Sequence, residues 1–397
     1  MKFRICMPRC IISSGWAGGG LVKSLLKEWT SMVFELGYAY HNFFWAGKEP
    51  GKWSDDALWL IQAVYRYVML TGDAEFLDEA CPVAGTDTER PVFETLKAII
   101  VYSGQISIGR HGLPLLDFAD WNDCLKLDDT YLNGPAKEAL YRKQLEAGGV
   151  FGDSLESDYS ESVMNAFLLK VAVDELSALA ARKGEQAYAD ELTGFGAKLR
   201  ERIQEHAWKG DFFARVLFNR YPNGEYTYLG AAGDGMSSDP AKDGSYFLNS
   251  FSWSILAGCA DEEQIAVMLD TMKAHLMTPY GMKLVSPVAL GRVSTHTASD
   301  EYFPGDRENG GVFKHACMMA AAAMFKGGPR KYPVRIWLPS SPAWATGCWT
   351  GLCRSRRWMI RLPSAGIRGS APNTTTARLV RTSVQCLAAP RPGSPSR

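Results

Sequence analysis

The stretch SDDALWLIQAVYRYVMLTGD, residues 54–73, constrains most strongly the kind of core this chain can build. Leu58, Ile61, Tyr65 and Val68 recur at intervals of three and four residues, the spacing that places apolar side chains on one face of an α-helix. Ser54 is placed to cap the run, Asp55 and Asp56 suit the positive helix start, and Gly72 stops it. The same design recurs in YSESVMNAFLLKVAVDELSALAARKG, residues 159–184: Ser160 stands at the cap, Val163, Phe167, Val171 and Leu179 form one stripe, and Gly184 ends it. Further helices are expected near 19–36, 93–103, 135–147, 186–207, 248–258, 262–276 and 311–326. The β-prone pieces FFARVLF (212–218) and EYTYLG (225–230) fall in a connection between helices and are too few for a sheet-based core. About ten helices with motif-bearing loops between them predict an all-α fold, an (α/α) toroid of hairpins packed side by side.

Charge divides the chain unevenly. Residues 331–397 carry eleven Lys and Arg and no Asp or Glu, which leaves 32 basic against 43 acidic side chains in residues 1–330. An acidic body argues against nucleic acid as a partner, because phosphate backbones are gripped by clustered Lys and Arg. The basic stretch is also rich in Pro and Ser and lacks any sustained period, so it reads either as a disordered tail or as translation in a shifted frame after roughly residue 333; the second explains better why composition and periodicity change together. The expected organisation is an atypical segment over 1–39, a helical catalytic domain over 40–330 and a tail without chemistry over 331–397.

Nine cysteines without C-x-x-C pairs or zinc spacing point to a reducing compartment. The N-terminal run CIIS is too short for a secretory signal, and no window approaches the roughly 18 apolar residues of a membrane span. A cytoplasmic protein without membrane attachment is expected.

The stretch DFADWNDCLKLDD, residues 117–129, places five carboxylates around Trp121. Crowded carboxylates repel one another unless water, a cation or a proton relieves them, so this is either a solvated loop or a site that uses its acidity. Counting from Asp120, an EF-hand fails, since Cys124 and Leu125 stand where an oxygen ligand and a glycine are required. Zinc spacing, a nucleophile elbow and phosphate-binding glycine loops are likewise missing from the sequence, and no metal site is expected. Acids interleaved with indoles suit a sugar: carboxylates accept from hydroxyls, aromatic faces cover the C–H side of a pyranose, and one protonated acid can donate to a glycosidic oxygen. Trp45, Trp53, Trp59, Trp121 and Trp253 all lie in or beside polar stretches.

SDDALWL (54–60), GLPLLDFADWNDCLK (112–126), YFLNSFSW (246–253) and PGDRENGGVFKHA (304–316) together resemble the catalytic part of the family 94 glycoside phosphorylases. The resemblance spans about residues 40–328. It implies an (α/α)6 barrel, here incomplete, and inverting phosphorolysis of a β-linked gluco-oligosaccharide or disaccharide to an α-sugar 1-phosphate and a shortened sugar. It implies no cofactor, with inorganic phosphate as co-substrate. Family members often dimerise, so a homodimer is among the expectations.

By position in the motifs, the resemblance makes Asp123 the general acid and assigns Trp121 and Asp120 to the pocket of the transferred sugar. Asp56 matches a sugar-binding aspartate, a role that plain helix capping rivals. His315 and Arg307 match the phosphate site, and Glu308 the acceptor sugar. The family often places arginine shortly before the Asp55-Asp56 pair, where this chain has only Lys48 and Lys52, and lysine lacks the planar bidentate donor of arginine. Two other readings stay open. An inverting glycosidase on the same barrel needs a base carboxylate about 6.5–9.5 Å across from Asp123, with Glu161, Glu301 and Glu308 as candidates. A non-catalytic sugar-binding fragment needs none.

Overall fold

A computed structural model describes residues 19–44, 47–49, 53–117, 119–125, 127, 139, 160–220, 225–289 and 303–327. Eight α-helices lie among them: α1 (Gly19–Thr30), α2 (Leu58–Thr71), α3 (Val92–Val101), α4 (Val163–Lys183), α5 (Gln186–Ala207), α6 (Leu248–Leu256), α7 (Glu262–His275) and α8 (Lys314–Lys326). Alternate helices do different jobs. Helix α4 packs on both α2 and α6, and α6 packs on α8, while α1, α3, α5 and α7 lie against these from the other side. Burial follows the same alternation. Every residue of α6 from Leu248 to Ile255 is buried, whereas α5 buries one stripe, Ala189, Leu192, Gly196, Leu199, Ile203 and Ala207. A helix buried on most sides belongs to an inner layer, and one with a single stripe to an outer layer. That outer–inner succession is the plan of an (α/α)6 barrel.

Local chemistry sets the helix ends. Gly72 and Gly184 both stop their helices in the left-handed conformation, φ 77° and 87°, where a side chain is strained. Asp261 and Gln264 form a reciprocal capping box at the start of α7. Two expected caps are corrected. Ser54 donates its hydroxyl to the Leu116 carbonyl at 2.9 Å instead of capping α2, whose first residue is Leu58. Helix α4 is capped by Ser162, which accepts from the Asn165 amide at 3.0 Å, and not by Ser160. The helix expected over 19–36 ends at Thr30, and the one expected from 311 begins at Lys314, because Val312 is engaged in a bridge with Lys283. Most of the helix expected over 135–147 lies outside the described residues, as does the stretch 331–397.

The β-prone pieces form one hairpin. β1 (Val216–Arg220) and β2 (Glu225–Leu229) pair antiparallel, Val216 opposite Leu229, and the short strand β3 (Glu161–Ser162) adds to the edge of β1 through Glu161 opposite Leu217. Because β3 leads directly into α4, this small sheet anchors the start of the longest inner helix described. No helix among the described residues is long and apolar enough to cross a membrane.

Candidate active site

Four separate stretches are woven together at the N-terminal end of α4. Trp53 bridges to Asp117 and Ala119, and the Ser54 amide donates to the Ala119 carbonyl at 3.1 Å. Leu116 donates to Ser160, Ser162 to Pro114, and Val163 to Arg215, at 2.7, 2.8 and 3.2 Å. Asn165 ties the weave to α4 by donating from Nδ2 to Ser54 Oγ at 2.7 Å. The two motifs that read as separate in sequence, SDDALWL and DFADWND, thereby share one backbone frame. The described non-glycine residues with left-handed backbone, Asp117 at φ 57° and Arg307 at φ 41°, both lie in the quoted motifs. Such conformations cost energy and cluster where a fold serves function.

Under this frame lies Asp120, fully buried beside an equally buried Arg215. Arg215 donates from Nη1 to Oδ2 at 2.6 Å and from Nη2 to Oδ1 at 2.5 Å, while Ser162 Oγ gives Oδ2 a further hydrogen bond at 2.6 Å and the Asn122 amide one to Oδ1 at 3.0 Å. Burial pushes the Asp120 carboxyl up, but the Arg215 charge and these donors outweigh it and hold the group below the usual carboxylate range. Its oxygens are turned to the protein, so Asp120 braces the D-W-N-D turn from beneath. Arg215 has no place in the motifs read from sequence. Its signal is a lone guanidinium inside the apolar stretch FFARVLF, where a charge needs a buried partner.

Three residues on, Asp123 is only half-buried, and Trp53 donates its indole N–H to Oδ1 at 3.0 Å. Trp121 is buried, and its ring lies 5.4 Å from that of His315 at the start of α8. The D-W-N-D turn thus carries Asp123, the expected general acid, two residues from the indole that lies beside the expected phosphate histidine. Asp56 is buried, 2.9 Å from His41 Nδ1, and the His41 ring stacks on Trp53 with centroids 3.7 Å apart and 14° between planes. Capping does not account for Asp56, since no side chain caps α2.

The DRENGG turn is more open. Arg307 is exposed, with Nε 4.0 Å from the Asp306 carboxylate, while Glu308 is half-buried and its charge helps push the buried Cys124 thiol up, after the larger effect of burial. Asn309 pins the turn by exchanging hydrogen bonds with Val288, 2.9 Å each way. Lys48 sits over the Tyr40 ring, 5.3 Å from its centroid, and Lys52 lies outside the described residues.

Other candidates prove structural. Glu161, a proposed glycosidase base, is fully buried and takes hydrogen bonds from the His111 and Leu113 amides, the Tyr226 hydroxyl and the His111 ring. Trp59 and Trp253 pack edge to face in the core, and Trp59 donates to Asp55 at 2.7 Å. Trp45, Glu301, Asp128 and Asp129 lie outside the described residues. No group of three or more His, Cys, Asp or Glu able to hold a metal ion occurs among the described residues.

A helical barrel with a partly open acid held by the Trp53 indole, two residues from the buried Trp121, fits a carbohydrate-active class of site. Among solved structures, a GH63 mannosylglycerate hydrolase from Thermus thermophilus, in complex with glucose, shares the fold at a TM-score of 0.50 and 14% identity, covering 81% of this chain and 80% of that one. The family model for the Glycosyl hydrolase 94 superfamily, catalytic domain, matches residues 37–342, and the chain belongs to that family. It is 29% identical over 270 residues to N,N'-diacetylchitobiose phosphorylase of Vibrio proteolyticus, covering 66% of this chain and 28% of that protein. It is 26% identical over 307 residues to solabiose phosphorylase of Paenibacillus borealis, covering 75% of this chain and 33% of that protein. The chain therefore spans about a third of the length of these relatives.

Proposed function

We propose that this chain carries the acid and phosphate machinery of an inverting glycoside phosphorylase acting on a β-linked gluco-oligosaccharide or disaccharide. The observation that supports the reading is the D-W-N-D turn, which carries the half-buried Asp123 carboxyl and, two residues before it, Trp121 set against His315. In this reading Asp123, protonated, delivers its proton to the glycosidic oxygen as the bond to the anomeric carbon breaks. Phosphate attacks that carbon from the opposite face, which inverts the configuration and gives an α-sugar 1-phosphate. Because phosphate is already an anionic nucleophile, no second carboxylate is required as base. His315 and Arg307 are the proposed phosphate ligands, a charge-assisted pairing that favours an oxyanion. Asp56 and Trp121 hold the transferred sugar and Glu308 the acceptor, with Asp120 fixing the turn that carries both Trp121 and Asp123.

The glycosidase alternative loses one of its bases, since Glu161 is committed on both oxygens. Incubation with a panel of β-linked disaccharides and inorganic phosphate should yield sugar 1-phosphate, and Asp123→Asn should lower turnover by about 10²–10⁴-fold with unchanged thermal stability. Sugar release at the full rate in phosphate-free buffer would instead assign a hydrolase. A cytoplasmic location and a homodimer are further parts of this reading, checked by fractionation and by light scattering.

A further inference from the structure

We propose that His41 is a positioning residue that holds two working groups at once: the proton donor Asp123, through the indole of Trp53, and the sugar-binding Asp56, through its own Nδ1–H. The inference rests on the roles given above to Asp123 and Asp56.

The backbone already fixes where Trp53 begins, through its bridges to Asp117 and Ala119. It does not fix the ring, which is half-exposed and can turn about two side-chain torsions unless a neighbour covers a face. His41 supplies that face. It is buried, parallel to the indole to within 14° and 3.7 Å away between centroids. Burial holds this face in place, and the same ring reaches Asp56 Oδ2 at its edge, 2.9 Å away. With an ionised carboxylate as acceptor, the imidazole carries its proton on Nδ1. The chain of constraint therefore runs Asp56, His41, Trp53, Asp123.

The consequence for chemistry lies at the last link. Trp53 Nε1–H donates to Asp123 Oδ1 at 3.0 Å. An oxygen that accepts from an N–H is the better carbonyl oxygen of the neutral acid, so the transferable proton belongs on Oδ2. Fixing the indole fixes which oxygen donates and in what direction, and a small misplacement of a donor is costly in rate. The same imidazole holds Asp56 in place for the sugar. Phenylalanine at position 41 would supply the face without the donor, and asparagine the donor without the face.

These two substitutions separate the functions, in the 397-residue chain, using a β-linked disaccharide and an aryl β-glycoside whose acidic phenol leaves without a proton. His41→Asn and Trp53→Phe are expected to lower kcat on the disaccharide about ten- to hundred-fold, and on the aryl glycoside by less than about threefold, with KM little changed. His41→Phe is expected to raise KM about tenfold for both donors while keeping the ratio of their kcat values. Equal losses on both donors in His41→Asn, or no loss on either, would overturn the inference. The indole N–H resonance of Trp53 gives a readout that needs no turnover: Asp123→Ala and His41→Asn should each shift it. An unmoved resonance in His41→Asn sinks the positioning role even if wild type makes sugar 1-phosphate. A moved one, with no phosphate-dependent release by wild type, leaves the positioning geometry standing and sinks the phosphorylase reading instead.

Discussion

Helix α4 has a buried carboxylate near each of two places along its length, and the two are treated in opposite ways. At its N-terminal end Asp120 lies against the Ser162 cap; about 20 Å further along, at the helical rise per residue, Glu175 faces Arg66 of α2. Burial pushes both acids up. Asp120 meets a bidentate guanidinium and two further donors, and is held below the usual range. Glu175 has Arg66 Nη2 at 3.6 Å and the more distant help of Lys326, its Oε2 has no hydrogen-bond partner among the described residues, and it is pushed up to about 7. Depth alone does not decide the charge state of a buried acid. The geometry of its partners does, and the fold places its best partner where the motif needs a rigid turn.

The sharpest way to break this contrast is to make the first site resemble the second. Arg215→Met should cost about 3–5 kcal/mol, because it strands a buried carboxylate without its cation. It should also invert the pH dependence. In wild type the Asp120 pKa is lower folded than unfolded, so its stabilisation is fully present above about pH 4 and is lost as pH falls through the depressed folded value. In the variant, uncompensated burial raises that pKa, and stability should fall as pH rises. Urea midpoints at about pH 2.5 and 8 check both statements. A variant of unchanged slope would mean that Ser162 and the Asn122 amide suffice without the guanidinium.

Glu175 already shows the second behaviour and gives the next largest effect. Its folded pKa, about 7, lies above the unfolded value, so the folded state binds the extra proton and stability is lost as pH rises from the unfolded value, about 4.3, through 7. Glu175→Gln removes that penalty. It should stabilise by about 1–3 kcal/mol at pH 8 and leave stability nearly unchanged at pH 4. Equal midpoint shifts at the two pH values would show that the glutamate is not the titrating group.

The contrast also explains what was legible in sequence. Apolar spacing locates the helices, since each buries an apolar face against its neighbours, and Gly72 and Gly184 mark two ends without ambiguity. The caps were misplaced because Ser54 and Ser160 sit at plausible offsets, while the choice among serines was made by tertiary contacts: Ser54 is drawn to Leu116, and Ser162 is fixed by Asp120. The motif match points to Asp123, Trp121 and His315, and the structure sets Trp121 beside His315 and Asp123 beside Trp53. It did not find Arg215 or His41, 95 and 15 residues from the aspartates they hold. Such partners follow no local period. The only trace of Arg215 is its incongruity in an apolar stretch, and His41 leaves none.

Ser162 carries the smallest of these effects and tests whether the Asp120 site is a pair or a network. Its hydroxyl accepts from the Asn165 amide at 3.0 Å and donates to Asp120 at 2.6 Å, so one atom joins the helix cap to the buried acid. Ser162→Ala removes both bonds. Loss of the cap alone is worth about 1 kcal/mol, and Asp120 would keep both Arg215 bonds and the Asn122 amide, so the expected total is about 1–2 kcal/mol. The pH dependence should keep the wild-type sign, because the guanidinium still outweighs burial. A cost matching Arg215→Met would mean that the hydroxyl and the guanidinium stabilise the acid only together, and the double variant would then cost little more than either single one. Additive costs would instead mean that the hydroxyl and the guanidinium each stabilise Asp120 independently.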